Sequence, residues 1–467
     1  MRSVIVIGGG PAGLAAAESA LQYGASVILL EAGQRLGGQF WRHPPEDLPV
    51  DTTLQHNWRH FTGLRRMIAS NPAARVITDA QVWAIDHDQH QTPRVHAAIG
   101  PADGTDREQI AFTGDALIIA TGAHDHTLPF PGWDLPGVFT GGAAQSLAKS
   151  ERVAVGRRVV VAGAGPFLLP VAASLTRVGS QVLGVFEASR PQQLASGWLP
   201  NAPWLVGKGP EFAGYLAKLM RHRIPYRTGQ AVVRAYGRDA VQGVTIAKVD
   251  RDWRRIPGTE RDLAVDAVCV SHGFTPRLEL AIAAGCRITA DRFVEVDQGQ
   301  RSTQPGVFAA GETTGIGGSD LALTEGTIAG HLAAGGEIDD PVLKDARTRK
   351  RRLDHLARSV RIGHAQGSRW TEWLTDDTIL CRCEEVSYAH LRTVLDGTRS
   401  RGVRSVKLAS RVGLGPCQGR ICGRVVEHII SSGGTLPLTD GVMIDRRPIA
   451  APIRFSELAA GKDNHEQ

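Results

Sequence analysis

Ser3-Val4-Ile5-Val6-Ile7-Gly8-Gly9-Gly10-Pro11-Ala12-Gly13 is the stretch that decides the fold. Val4 to Ile7 are apolar and β-branched, the composition of a short strand buried on both faces of a parallel sheet. Beyond the glycines, Leu14, Ala17 and Leu21 fall at i, i+3 and i+7, one face of a helix. Gly24 ends that helix, and Val27 to Leu30 make a second strand closed by Glu31. In Gly8-x-Gly10-x-x-Gly13 each glycine has a mechanical task. The first makes a tight turn, the second lets a pyrophosphate approach the backbone, and the third lets helix and strand pack closely. The helix N-terminus, with Pro11 and Ala12, offers free N–H donors to the phosphates. Glu31 is spaced to accept hydrogen bonds from ribose hydroxyls. The complete strand–turn–helix–strand–Glu order predicts a dinucleotide site.

The pattern recurs. Arg158 to Ala162 read as a strand, Gly163-Ala164-Gly165-Pro166 as a turn, and a helix runs to Gly179. Val182 to Phe186 follow, closed by Glu187. Two such starts imply two Rossmann-type domains. Between them, Asp115 to Ala120 read as a buried strand, and the Pro-rich 128–137 stretch as a crossover. Ala264 to Ser271 and Val307 to Ala310 read as further strands, and Leu321 to Ala334 as a helix. The expected fold class is α/β, with one Rossmann domain inserted in the other and a small α-rich C-terminal module. Residues 1–125 and 272–340 form the first domain, 150–271 the second, 341–375 a basic helical connector, and 376–467 the module. The second loop has Leu168 where the third glycine belongs, and Pro170 removes another N–H from the opening turn. Glu187 favours NAD over NADP, but Leu168 predicts weak or no nucleotide binding there.

Composition narrows the class. The 467 residues are 42% hydrophobic and 21% charged, and 54 are glycine, without a Gly-X-Y period. That excludes collagen and fits an α/β protein whose backbone passes close to phosphates. Six cysteines exclude a disulfide scaffold and point to a reducing compartment. The net charge of +6 comes with 45 Arg against 8 Lys, a skew that reflects codon usage more than a nucleic-acid surface. No apolar run approaches the roughly 18 residues of a membrane span. The expectation is a cytoplasmic protein with no membrane span and no nucleic-acid partner. The basic run Arg349-Lys350-Arg351-Arg352 reads as the solvated face of a helix.

Three further segments extend the first loop into a resemblance. Leu36-Gly37-Gly38-Gln39, Ala120-Thr121-Gly122 and Val307-Phe308-Ala309-Ala310-Gly311-Glu312 resemble motifs of the two-dinucleotide-binding-domain flavoproteins. The resemblance covers roughly residues 1–335 and implies FAD. It assigns Gly38, Gln39, Val82, Thr121, Gly122, Gly311 and Glu312 to the cofactor, with Glu312 standing where that group usually has Asp. It also excludes the flavin disulfide reductases, because no cysteine precedes Cys269. Cys269 and Cys286 read as buried, inert thiols. His124-Asp125-His126 reads as a polar loop, and no catalytic residue is assigned.

The remaining cysteines are Cys381-x-Cys383 and Cys417-x4-Cys422. Four thiolates suit a tetrahedral zinc or a [2Fe–2S] cluster, and C-x-C is tight for zinc. The spacing, with Gly-Pro-Cys-Gln-Gly-Arg around Cys417, resembles the [2Fe–2S] domain of bacterioferritin-associated ferredoxin. Arg382, Lys407, Arg411, Arg420 and Arg424 stand ready to offset a cluster's negative charge.

A flavoprotein of this order with such a C-terminal domain resembles the larger subunits of heteromeric amino-acid dehydrogenases. Opine oxidase, D-hydroxyproline dehydrogenase and hydrogen cyanide synthase are of this type. The resemblance implies one subunit of an oxidoreductase that acts on CH–NH donors such as opines, hydroxyproline or glycine, the amine being oxidised on a smaller FAD oxidase-like β subunit. It leaves room for an FMN at a subunit interface and for a small γ subunit. Two other readings stay open: a self-sufficient NAD(P)H-dependent reductase, and a non-enzymatic iron–sulfur binding or sensing protein.

Overall fold

The computed structural model describes residues 1–87, 92–201, 209–431, 437–438, 447 and 449–460. Its contacts group into two compact units. The first comprises residues 1–124, 276–357 and the described residues from 447 on; the second comprises 125–275 and 358–438. These units cut across the four segments read from the sequence, dividing the connector after Ala357 and separating the end of the C-terminal module from its cysteines.

In the first unit, five strands form a parallel sheet in the spatial order Val307–Ala309, Ala116–Ile119, Ser3–Ile7, Ser26–Leu30, Ala74–Ile77. Each is short and apolar because both faces of the sheet are covered. On one face the helices Pro11–Gln22 and Gly318–Ala333 pack together almost without side chains. A Cβ built on Gly326 or Gly330 would lie 2.1 Å from the Ala12 or Ala16 carbonyl oxygen. On the other face lies the antiparallel sheet Ala80–His87, Pro93–Ile99, Glu108–Thr113. Chain order reverses between Ser3–Ile7 and Ala116–Ile119, and open α/β sheets bind ligands at the carboxyl ends of strands flanking such a point.

The second unit repeats the plan with Tyr226–Thr228, Gln181–Glu187, Arg158–Gly163, Ala267–Ser271 and Val138–Thr140, all parallel. The single strand expected over 264–271 is two: Arg261–Ala264 belongs to a separate antiparallel sheet, and only Ala267–Ser271 joins the parallel one. The cysteine segment is built from the hairpin Ile379–Cys381/Val386–Ser387 and the helices Tyr388–Thr398, Val403–Ser410 and Gly423–Ile430. It shares a core with the second Rossmann sheet, in which Trp253, Trp370 and Trp373 are fully buried beside Leu380, Leu391 and Val426. Among the described residues, no helix is long and apolar enough to cross a membrane.

Candidate functional site

At the first glycine loop the three glycines are under different constraints. Gly8 has φ +109°, and a Cβ there would sit 2.3 Å from the Ala120 carbonyl oxygen. A Cβ on Gly13 would sit 1.8 Å from the Gly8 oxygen. Gly10 is open: its built Cβ meets nothing nearer than the Gly38 Cα at 3.9 Å. The first and third glycines therefore serve the fold, and the second leaves room for a guest. Gly10 caps the helix Pro11–Gln22 without a side-chain hydrogen bond, so the opening N–H groups are left for an anion.

The other predicted residues gather around this loop. Gly37 donates to the Gly9 oxygen at 2.8 Å, and Gly38, at φ +58°, approaches Gly10 so closely that a Cβ would lie 2.9 Å from its Cα. Glu31 accepts from the Gly9 N–H at 2.6 Å and the Gly33 N–H at 2.7 Å. A carboxylate has about four acceptor positions, so two are left for ribose hydroxyls. Thr121 donates to the Arg277 carbonyl at 3.0 Å, beside Gly122 at φ +68°. Gly311 lies against the same helix start, where a Cβ would be 2.9 Å from that of Ala12. Glu312 is half-buried next to it, and Gln39 is exposed. Val82 stands apart, its side chain buried in the core with Ile5, Ile7 and Ile119, so it offers a ligand backbone only.

Sequence reasoning missed Glu325. Its carboxylate is buried two turns into the helix Gly318–Ala333 and accepts from the Gly311 N–H at 2.8 Å. Burial pushes this carboxyl up to about 7, against the opposing pull of Lys350. The available signal was a lone acid within Leu321-Ala-Leu-Thr-Glu-Gly, an otherwise apolar run.

The second loop has the same turn but not the same opening. Gly163 takes φ +137°, and a Cβ there would lie 1.7 Å from the Ser271 oxygen. The helix, however, begins only at Leu168, after 3.2 Å bonds from Leu168 to Gly165 and from Leu169 to Pro166. The fully buried Leu168 side chain occupies the space a third glycine would leave. Glu187 is fully buried as well. It accepts from the N–H groups of Gly165 at 3.0 Å and Ser189 at 3.1 Å, and from the Tyr226 hydroxyl at 3.3 Å. His364 Nδ1 reaches it at 3.2 Å, with Trp198 Nε1 placed 3.3 Å from the other ring nitrogen. The acceptor positions that would receive a ribose are taken by the chain's own donors.

Asp125 is not part of a loop as expected. It ends the short strand Ala123–Asp125 and accepts from the Gly142 N–H at 2.9 Å and from Ser271 Oγ at 3.3 Å. Burial pushes its carboxyl up. Cys269 and Cys286 are both buried, and burial pushes both thiols up, as inert thiols require.

The four C-terminal cysteines are brought together in two pairs. Cys422 hydrogen-bonds Cys381, which holds the Cys381 thiol down, to about 5, and pushes that of Cys422 up. Cys383 lies within hydrogen-bonding reach of Cys417. Among the described residues, no group of three or more His, Cys, Asp or Glu side chains is arranged to hold a single metal ion. Gly413 N–H points at Cys381 Sγ at 3.5 Å, and a Cβ on Gly415 would lie 2.3 Å from that of Cys383, so both glycines hold backbone against sulfur-bearing residues.

Residues 2–332 match the family described as pyridine nucleotide-disulphide oxidoreductase. The HcnB subunit of hydrogen cyanide synthase from Pseudomonas protegens is 32% identical over 90% of this chain and 89% of its own length. The larger-subunit relative from Rhizobium meliloti, the A component of opine oxidase, is 31% identical over 97% of this chain and 98% of its own. The crystal structure of L-proline dehydrogenase from P. horikoshii superposes with a TM-score of 0.66 at 20% identity, covering 98% of this chain and 79% of that one.

Proposed function

The chain belongs to the pyridine nucleotide-disulphide oxidoreductase family and to that of HcnB and the opine oxidase A component, and from that membership we propose that it is the FAD- and [2Fe–2S]-carrying electron-transfer subunit of a heteromeric amine or amino-acid dehydrogenase. The observation that carries this reading is the contrast between its two glycine loops. The first has an open Gly10 and uncapped helix donors, whereas the second has its ribose acceptor saturated from within. Such a chain is equipped to hold a flavin nucleotide and poorly equipped to take electrons from a pyridine nucleotide. Its donor is then the CH–NH substrate of a partner, a smaller FAD oxidase-like β subunit. An FMN at the subunit interface, together with a small γ subunit, fits the same reading.

The residues that would hold FAD are Gly8, Gly10, Pro11, Ala12 and Gly13 at the pyrophosphate, Glu31 at a ribose, and Gly38, Gln39, Val82, Thr121, Gly122, Gly311 and Glu312 along the remainder. Cys381, Cys383, Cys417 and Cys422 would hold the cluster. Their meeting as two pairs suits a centre with two irons, each taking two thiolates, better than one tetrahedral zinc. When bound, FAD exchanges electrons singly or in pairs and a [2Fe–2S] centre singly, which together convert a hydride pair into single-electron steps. The chain's own residues bind and orient these groups; the Gly413 N–H steadies a sulfur, and the burial of Cys381 and Cys422 keeps water from that side.

Two measurements test this. Affinity purification of the chain from the cells that make it is expected to bring down a smaller flavoprotein. An amine or amino acid added anaerobically to that complex should bleach its visible flavin absorbance. The isolated chain mixed with NADH or NADPH in a stopped-flow instrument is expected to stay oxidised on the scale of an ordinary turnover, roughly 10 per second. Fast reduction by NADH would favour the self-sufficient reductase instead. The sensing reading leaves the intact first loop without a purpose.

A further inference from the structure

Glu325 and the basic run, separate in the sequence, meet in the structure. Arg349 Nη2 lies 3.2 Å from Asp320, and Lys350 Nζ lies 3.6 Å from Glu325 Oε1 and 3.1 Å from Asp354. The run is therefore not a purely solvated face: two of its residues clasp the helix Gly318–Ala333. On the far side of the same carboxylate, Oε2 receives the Gly311 N–H at 2.8 Å and lies 2.9 Å from Thr314 Oγ1. That hydroxyl is also 2.8 Å from the Gly311 oxygen, and the Thr314 N–H donates to the same oxygen at 2.9 Å. The turn from Gly311 to Thr314 is closed on itself and tied to Glu325.

Burying a carboxylate is costly, and an apolar residue would pack two helices at lower cost. Helix docking does not need it, because the glycine contacts at Gly326 and Gly330 already bring the two backbones together. What Glu325 alone supplies is the placement of a turn whose Gly311 sits at φ +79° against the first residues of the glycine helix. We propose that Glu325, backed by Lys350, is a positioning residue for the nucleotide: it holds the Gly311–Thr314 turn, and with it Glu312, in the conformation that receives FAD. This rests on FAD occupying the first loop.

The test uses the full chain stripped of flavin and titrated with FAD, with flavin circular dichroism as a second signal. Glu325→Leu removes both acceptor contacts and is expected to weaken FAD binding about tenfold to a hundredfold, the value of one or two charge-assisted hydrogen bonds. The flavin-free variant should melt no lower than wild type, because a buried charge has been removed; a merely structural role predicts the opposite. Glu325→Gln keeps an acceptor for the Gly311 N–H and is expected to bind within about threefold of wild type. Leucine binding FAD as wild type does, or glutamine failing as badly as leucine, would overturn the proposal. Should the leucine variant not fold, Thr314→Val decides: a severalfold loss supports the role, and unchanged affinity overturns it. A wild-type chain that binds no FAD would instead overturn the reading beneath.

Discussion

Gly10→Val is expected to leave the fold standing and empty the first nucleotide site. A side chain at Gly10 meets no atom closer than 3.9 Å, and its φ of −79° is comfortable for any residue. The space it would enter is the one a pyrophosphate needs in order to reach the opening N–H groups of the helix. Losing two charge-assisted hydrogen bonds costs about 3 kcal/mol or more, a hundredfold or greater drop in affinity. Flavin released per chain on denaturation should fall close to zero while far-ultraviolet circular dichroism and the melting curve hold. Gly13→Ala serves as the contrast. Its Cβ would collide with the Gly8 oxygen at 1.8 Å, so it should lose FAD and stability together. Full FAD content in correctly folded Gly10→Val would remove the assignment.

Cys417→Ser is expected to abolish the cluster and spare the flavin. Wild-type protein prepared anaerobically should carry about two irons and two acid-labile sulfides per chain. Cys417 is only partly buried, so exchanging sulfur for oxygen there disturbs the core less than at Cys381 or Cys422. The residues around the first loop lie in the other compact unit. FAD content should therefore be unchanged while iron, sulfide and the visible iron–sulfur absorption disappear. Stoichiometric zinc with no such absorption in the wild type would sink the cluster and, with it, the single-electron part of the proposed function.

Much of the fold is legible in the chain alone, and for local reasons. A strand buried on both faces announces itself as a β-branched run, and a close helix–strand approach announces itself as glycine at fixed spacing. Hence Ser3–Ile7, the helix from Pro11 and the roles of Gly8 and Gly13 are readable, and so is their repetition from Arg158. Leu168 already tells against the second loop. The break inside 264–271 is not readable, because both halves are short and strand-like and only their partners differ. Asp125 reads as a loop residue because its acceptor role depends on Gly142 and Ser271, both distant in the chain.

By itself the sequence determined the two Rossmann units, the location of the nucleotide-binding turn and the four thiols that suit a metal centre. Each of these depends on residues a few positions apart, so spacing alone encodes the geometry. Tertiary structure decided which of the two loops stays open. Tyr226, Trp198 and His364 are spread along the chain and come together on Glu187 only when the second unit folds, so no local pattern could reveal that its acceptor positions are filled. It also decided the use of Glu325. A buried charge is tolerated only where donors converge on it, and its donors, Gly311, Thr314 and Lys350, are 11 to 25 residues away along the chain and meet only through packing.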